Sequence, residues 1–452
     1  MGEGRRVVAY VVAALSLGAV LASTLGAAAS PATVPQATHA VGVVTETLVD
    51  PHRATPAWDN QPEHSGRTLI TTIYYPALGA ASSAIPQPNA PPAAKAGGYP
   101  LIVFSHGLGA DPLEYQSLLS YWASAGFVVA APQFPLSSDH TAGGPDEGDI
   151  ANQPGDVSFV ITSVLGESTQ SGGVLSGLVN AHEVGAAGHS NGALTTLALV
   201  ADTCCLDHRV KAAVVMAGDE VSFPGGHYDF AQAPPLLLVH GTADQLLPYS
   251  GAVAIFNNAR GPKGLLTING GDHEAAAGFS APSAVSVQRA TTDFFSAYLS
   301  GDKSVLADLS SDAAPGVTKV TFTPQAGSKA TITTVPPPVL HLRATATPTT
   351  NLTNGEAVTV RWSGYSAGKV VNVLECNAQD AKLNNSSACS FTYAKVLTPD
   401  PTGQGTLAFR VVTGTVGNGV CDAAHNGCQI VVNNASSAAS SSSVRIPISF
   451  AS

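Results

Sequence analysis

The sequence predicts an α/β protein with a mostly parallel sheet, followed by a separate all-β sandwich. Three observations carry this. Short apolar strands alternate with helix-period segments over the first two thirds of the chain. A serine stands between a strand and a helix in Gly188-His189-Ser190-Asn191-Gly192. After about Leu309 the helix signals stop, and β-branched runs separated by Gly, Asn and Ser take over. Alternating strands and helices mean a parallel sheet covered on both faces. Many short strands with turn residues between them mean a sandwich.

In chain order, Thr68–Tyr75 is expected as an early strand, and Ala77–Gly98, rich in Ala, Pro, Ser and Gly, as an exposed loop. Further strands are expected at Pro100–Phe104, Phe127–Ala131, Val184–Ala187, Ala212–Met216, Leu236–Val239 and Leu265–Ile268. Helices are expected at Glu114–Ala125, Asp156–Leu165, from Asn191 onward, and at Ser283–Leu299. AVTVRW, KVVNVLE, TLAFRVV, CQIVV and VRIPISF are the strands of the C-terminal part. The expected division is a signal peptide at 1–29, an α/β domain at 30–310, a Pro/Thr/Ala-rich linker at 311–338 and a β-sandwich at 339–452.

The first segment has Arg5 and Arg6, an apolar run from Val7 to about Leu25, then small residues up to Ala29. That is the pattern of a secretory signal, with cleavage expected after Ala29. An exported protein is expected, without a later membrane span. The chain has 452 residues, 11% of them charged, and a net charge of −11. No Lys/Arg cluster is present, which argues against nucleic acid as a partner. Six cysteines in an exported chain point to disulfides. Proximity favours Cys376–Cys389 and Cys421–Cys428. Adjacent Cys204 and Cys205 are left as either a vicinal disulfide or buried thiols.

A serine on a tight strand-to-helix turn is a nucleophile elbow, with small neighbours required by the strained backbone. The pattern G-x-S-x-G alone is weak, and Gly364-Tyr365-Ser366-Ala367-Gly368 repeats it. Ser366, however, lies between two β-branched runs with no helix after it. Context selects Ser190. A serine nucleophile needs a base, and the base an orienting acid. On a sheet of this kind they follow in the order Ser, Asp/Glu, His. Asp244 follows the strand Leu236–Val239, and His273 follows Leu265–Ile268 in a Gly-rich loop. Asp219 is the rival acid, and Asp244 is also placed to cap the Gln245–Pro248 turn. His240 is expected to be structural, and His189 to pack or line the site. The oxyanion needs N–H donors. Asn191, next after the nucleophile, is one. The second is expected from Ser105-His106-Gly107-Leu108-Gly109, with Leu108 N–H as the donor.

With these pieces in place, residues from about Thr68 to Leu309 resemble the α/β-hydrolase superfamily. The closer resemblance is to its dienelactone-hydrolase, platelet-activating-factor acetylhydrolase and polyester-hydrolase-like branch. PLIVFSHGLGA, GFVVAAPQFP, GHSNGA, LLLVHGTADQLLPY and GDHE carry it, in order. Dienelactone hydrolases use a cysteine, so Ser190 moves the reading toward esterases. The resemblance implies ester hydrolysis through an acyl-enzyme, with Ser190, Asp244 and His273 as triad. Residues of about Val339–Phe450 resemble the neocarzinostatin-like apoproteins, through TPTTNLTNGEAVTVRWSGYSAGKVVNVLEC, CDAAHNGCQIVV and VRIPISF. That resemblance implies an immunoglobulin-like sandwich, here as an accessory or substrate-binding module.

The expectation is therefore a secreted serine esterase acting on a small-molecule, lipid or polymer ester, with no cofactor and no metal. An amidase, peptidase or acyltransferase on the same triad is the alternative enzyme. A non-catalytic small-ligand-binding protein is the alternative of another class. The loop between Gly218 and Leu236 is too short for a lid, so an open site is expected.

Overall fold

The computed structural model describes residues 37–59, 61–279, 281–307, 309–325, 332, 342–365, 371–377, 389–397, 403–416, 419–424, 427–434 and 443–451. The expected signal at 1–29, the Pro336–Pro338 part of the linker and Ser366 lie outside the described residues.

Ten strands form one sheet: β1 (Ala40–Asp50), β2 (Arg67–Ala77), β3 (Gln87–Pro88), β4 (Tyr99–Ser105), β5 (Val128–Gln133), β6 (Val179–His189), β7 (Val210–Met216), β8 (Leu236–Gly241), β9 (Lys263–Ile268) and β10 (Thr318–Thr323). Their order is β10-β9-β8-β7-β6-β4-β5-β2-β1-β3. From β5 through β4, β6, β7 and β8 to β9 every pair is parallel. The pairs β1–β2, β2–β5 and β9–β10 are antiparallel. Among the described residues, five α-helices accompany them: α1 (Gln116–Ser124), α2 (Gln153–Thr169), α3 (Asn191–Ala201), α4 (Tyr249–Asn258) and α5 (Ala281–Leu299).

The middles of the central strands are apolar because both faces are covered. Successive side chains point to opposite faces. Val103, Ala130 and Leu236 join Val160, Leu197 and Phe256 in one core. Ile102, Val129 and Leu237 join Trp122, Phe294 and Phe295 in the other. Burying one such large side chain contributes about 1.5–3 kcal/mol. Ionic contacts add a fixed point beneath the first core. Arg67 of β2 is fully buried and bonds Asp149 at 2.9 Å and Asp156 at 2.6 Å. Asp149, just before α2, and Asp156, in its first turn, thus meet on one buried arginine.

Among the elements that escaped the sequence reading, three belong to the α/β part and matter to its shape. β1 buries Val41, Gly42, Leu48 and Asp50 among exposed and half-buried residues and starts where the leader was expected to end. α4 is a short Ala/Ile/Phe helix behind Pro248. β10 lies within the stretch expected to be linker. It is an edge strand, so only Val320 and Phe322 pack on the core, and its remaining Thr and Lys residues look like linker composition.

The C-terminal strands are β11 (Arg343–Thr347), β12 (Ala357–Ser363), β13 (Val371–Asn377), β14 (Cys389–Leu397), β15 (Gly405–Arg410), β16 (Gly414–Val416), β17 (Gly419–Cys421), β18 (Cys428–Asn434) and β19 (Ser443–Ile448). They make sheets β11-β12-β15 and β14-β13-β18-β19 with a ribbon β16–β17, all antiparallel. Val358, Val360, Trp362, Val373, Phe409 and Ile430 fill the space between. Disulfides join Cys376 to Cys389 and Cys421 to Cys428, and the adjacent Cys204 and Cys205 are also joined.

Candidate active site

β6 delivers the chain to Ser190, which has φ 56° and ψ −123° before α3 begins. Non-glycine residues rarely hold a positive φ, and the strain costs on the order of 1–3 kcal/mol. The neighbours explain why the turn needs glycines. A Cβ on Gly188 would meet Gly192 O at 2.1 Å, and one on Gly192 would meet Ser105 O at 2.0 Å. The turn is pinned by Ser190 N–H donating to Met216 O at 3.0 Å. Ser190 O accepts from Ala193 and Leu194 N–H in the first turn of α3.

Asp244 and His273 come together. His273 Nδ1 lies 2.8 Å from Asp244 Oδ2. The other carboxylate oxygen of Asp244 accepts from Leu246 N–H at 2.8 Å and Leu247 N–H at 3.0 Å. One carboxylate oxygen of Asp244 therefore caps the turn and the other faces His273. Burial opposes the charged form of this carboxylate, but hydrogen bonds from His240 and then His273 hold it well below the usual range. His240 sits 3.2 Å from Asp244 Oδ2 and bonds Leu247 O at 2.7 Å, so it braces the acid. Asp219 turns back on its own segment, accepting from Glu220 N–H at 2.8 Å.

Ser190, Asn191, Leu108 and His273 line one cavity of about 350 Å³. His273 Nε2 is buried and makes no hydrogen bond. The serine–histidine hydrogen bond is therefore open in this structure; such bonds often tighten only when substrate is present.

The loop that carries Leu108 is held by two residues the sequence reading left without a role. His106 Nδ1 lies 2.7 Å from Gly107 O, which can only accept, so Nδ1 carries the proton. Its Nε2 then accepts from Phe134 N–H at 3.0 Å. Burial pushes this imidazole down to about 4, so it stays neutral as both bonds require. Tyr115 holds the other side. Gly107 N–H donates to Tyr115 Oη at 3.2 Å, which leaves Leu108 as the loop amide next in line for the cavity.

The chain of bonds continues through His189. Its Nε2 lies 3.2 Å from His273 O and must donate. Its Nδ1 therefore accepts from Tyr115 Oη at 2.9 Å. Burial, then the charge of His273, pushes the His189 imidazole down to about 3. A relay of fixed polarity thus runs from Gly107 through Tyr115 and His189 to the His273 backbone. Only the helix pattern around Tyr115 was visible in sequence, and it gave no sign of this role.

Among the described residues, Asp111, Asp139 and His140 are close enough to share an ion. His140 is exposed and pairs with Asp111 at 3.2 Å, which is an ordinary surface contact.

A mostly parallel sheet carrying a strained serine at the carboxyl end of a central strand defines the α/β-hydrolase class. Residues 79–247 match the chlorophyllase family. Residues 344–450 match the neocarzinostatin family. Among solved structures, a ferulic acid esterase from Streptomyces cinnamoneus is similar at 22% identity and a TM-score of 0.47, over 65% of this chain and 98% of that one. The chain thus joins a sheet of α/β-hydrolase type, similar over residues 79–247 to the chlorophyllase family, to a C-terminal all-β part similar over residues 344–450 to the neocarzinostatin family.

Proposed function

We propose a secreted serine esterase with a Ser190–His273–Asp244 triad and a C-terminal accessory binding domain. The observation that carries this reading is the 2.8 Å contact of His273 with Asp244 beside a cavity shared with the strained Ser190. His273 Nε2 takes the proton of Ser190 Oγ as that oxygen attacks the ester carbonyl. Asp244 fixes the imidazole and stabilises its charged form. The N–H groups of Leu108 and Asn191 hold the oxyanion. The imidazolium then gives its proton to the departing alcohol. Water, deprotonated by the same base, releases the acid from Ser190.

The substrate is a small-molecule, lipid or polymer ester. The proposed division keeps 1–29 as signal, 30–310 as hydrolase with β10 added to its sheet, and 339–452 as the sandwich, with linker between. Three disulfides are consistent with an extracellular protein, and no helix among the described residues is long and apolar enough to cross a membrane. The test is hydrolysis of a p-nitrophenyl ester chain-length series, with Ser190→Ala and Ser366→Ala alongside. Loss in Ser190→Ala alone supports the reading. A wild type inert on every ester, or a Ser190→Ala variant that matches it, overturns the reading.

A further inference from the structure

The four-stranded sheet of the C-terminal domain has an outer face unsuited to water. Along β13, Val371 and Val373 point into the sandwich core. Asn372, Leu374 and Cys376 alternate with them and so share the opposite face. Along β18, Ile430 and Val432 go to the core, and Gln429 and Val431 to the outer face. Register sets Leu374 opposite Val431 and Cys376 opposite both Gln429 and Cys389. Leu374, Cys376 and Val431 form an apolar cluster distinct from the sandwich core. Leu374 is only 4% exposed and Val431 only 5%, although among the described residues no further strand or helix of the sandwich covers them.

What covers them is the hydrolase site. Leu374, Val431, Gln429 and the Cys376–Cys389 disulfide line the same cavity as Ser190 and His273. No residue of the loop between Gly218 and Leu236 does. The absence of a lid insertion therefore does not leave the site open: the second domain supplies a wall. Polar groups are set into that wall. Gln429 is 7% exposed, and its Nε2 has no hydrogen-bond partner. Asn372 Oδ1 is likewise unpartnered, and Asn372 lines the cavity too. Buried amides without partners are costly and rare, so groups of this kind beside a nucleophile await a ligand.

We propose that this outer sheet face is the second half of the substrate site. This rests on the esterase reading above. The triad side holds the reacting carbonyl. The sheet side takes the remote part of the ester: an apolar group seated on Leu374, Val431 and the disulfide, bearing a polar atom that meets Gln429 or Asn372. A cavity of about 350 Å³ is at the small end of ligand sites, so the whole ester is a compact small molecule or a single exposed unit of a polymer. The C-terminal domain then selects substrate within the active site rather than at a distance.

The test uses the full-length protein and compares kcat and KM for ethyl acetate, too small to reach the sheet, with p-nitrophenyl hexanoate. The double variant Leu374→Ala/Val431→Ala is expected to lose roughly tenfold in kcat/KM on the hexanoate through KM, the usual size of a lost pocket contact. Ethyl acetate should change less than about twofold. Gln429→Leu should act in the opposite sense and lower KM for the hexanoate several-fold, since an unpartnered amide gives way to an apolar group. A misfolded variant cannot produce that gain. Equal changes on both esters in the double variant, or no gain in Gln429→Leu, overturn the composite site while leaving the esterase standing. A wild type inert on both esters overturns the esterase reading, and the composite site with it.

Discussion

The relay through His189 works only while that imidazole is neutral, and the same holds for His106, whose two bonds hold the Leu108 loop. Both are buried, with values pushed down to about 3 and about 4. An unfolded histidine titrates near 6.5. Because the folded value lies below the unfolded one, the unfolded chain takes up the proton first. Stability from each group is complete above about pH 6.5 and is lost as pH falls toward the folded value. At pH 5 each unfolded histidine is about 1.5 units below its own midpoint. At 1.36 kcal/mol per unit that is about 2 kcal/mol for each. Glu147, Asp312 and Glu375, pushed up to about 7 chiefly by burial, run the other way. Their folded values exceed the unfolded ones, so they add stability as pH falls from 8 to 5. The absolute curve of the wild type therefore mixes both signs, and the useful quantity is a difference. Urea unfolding followed by tryptophan fluorescence, at pH 8 and pH 5, gives it. His189→Gln cannot titrate, so relative to wild type it should gain about 2 kcal/mol on going from pH 8 to pH 5. His106→Gln should behave alike. A difference within 0.5 kcal/mol of zero for both would mean that these histidines are not held neutral and that the relay polarity is wrong.

Other outcomes follow from the same geometry. Gly192→Ala places a Cβ 2.0 Å from Ser105 O; it should abolish esterase turnover and cost at least about 1–3 kcal/mol of stability, and a fully active variant would contradict the elbow. Tyr115→Phe strands Gly107 N–H and His189 Nδ1. An orphaned buried group costs about 1–3 kcal/mol, so kcat should fall at least several-fold with KM little changed; an unaltered kcat would remove the relay from the mechanism. Arg67→Met leaves Asp149 buried without its cation, while Asp156 keeps Arg53 at 2.7 Å, and chemical denaturation should register a loss of about 3–5 kcal/mol. A loss under 1 kcal/mol would mean that the pair is not the fixed point it looks to be.

The central sheet was legible because its strands are short, apolar and bounded by glycines, so that burial on both faces writes itself into composition. The elbow was legible for a related reason: Gly188 and Gly192 have no room for a side chain, and the strand and helix around Ser190 are both strongly patterned. Asp244 and His273 could be proposed from chain order and strand ends, though only the fold brings them within 2.8 Å. β10 was missed because an edge strand buries one face at most, and β1 because only the two-residue β3 lies beyond it; the Thr-rich sequence of each resembles a linker. Tyr115, His106 and the sheet face of Leu374 and Val431 were missed for a different reason. Their roles depend on contacts between segments far apart in sequence, and nothing local distinguishes a tyrosine that bonds the Gly107 loop from one that packs. The outer face of β13 and β18 was readable as apolar, yet sequence could not say what would cover it.

The most direct test of the central claim is covalent. The full-length protein would be treated with an alkyl fluorophosphonate, which traps an activated serine as a stable ester, and the adduct located by intact mass and peptide mapping. The account predicts one adduct, on the peptide that carries Ser190, absent in Ser190→Ala and formed far more slowly in His273→Ala. An adduct on another serine, or labelling of Ser190→Ala at the wild-type rate, would contradict it.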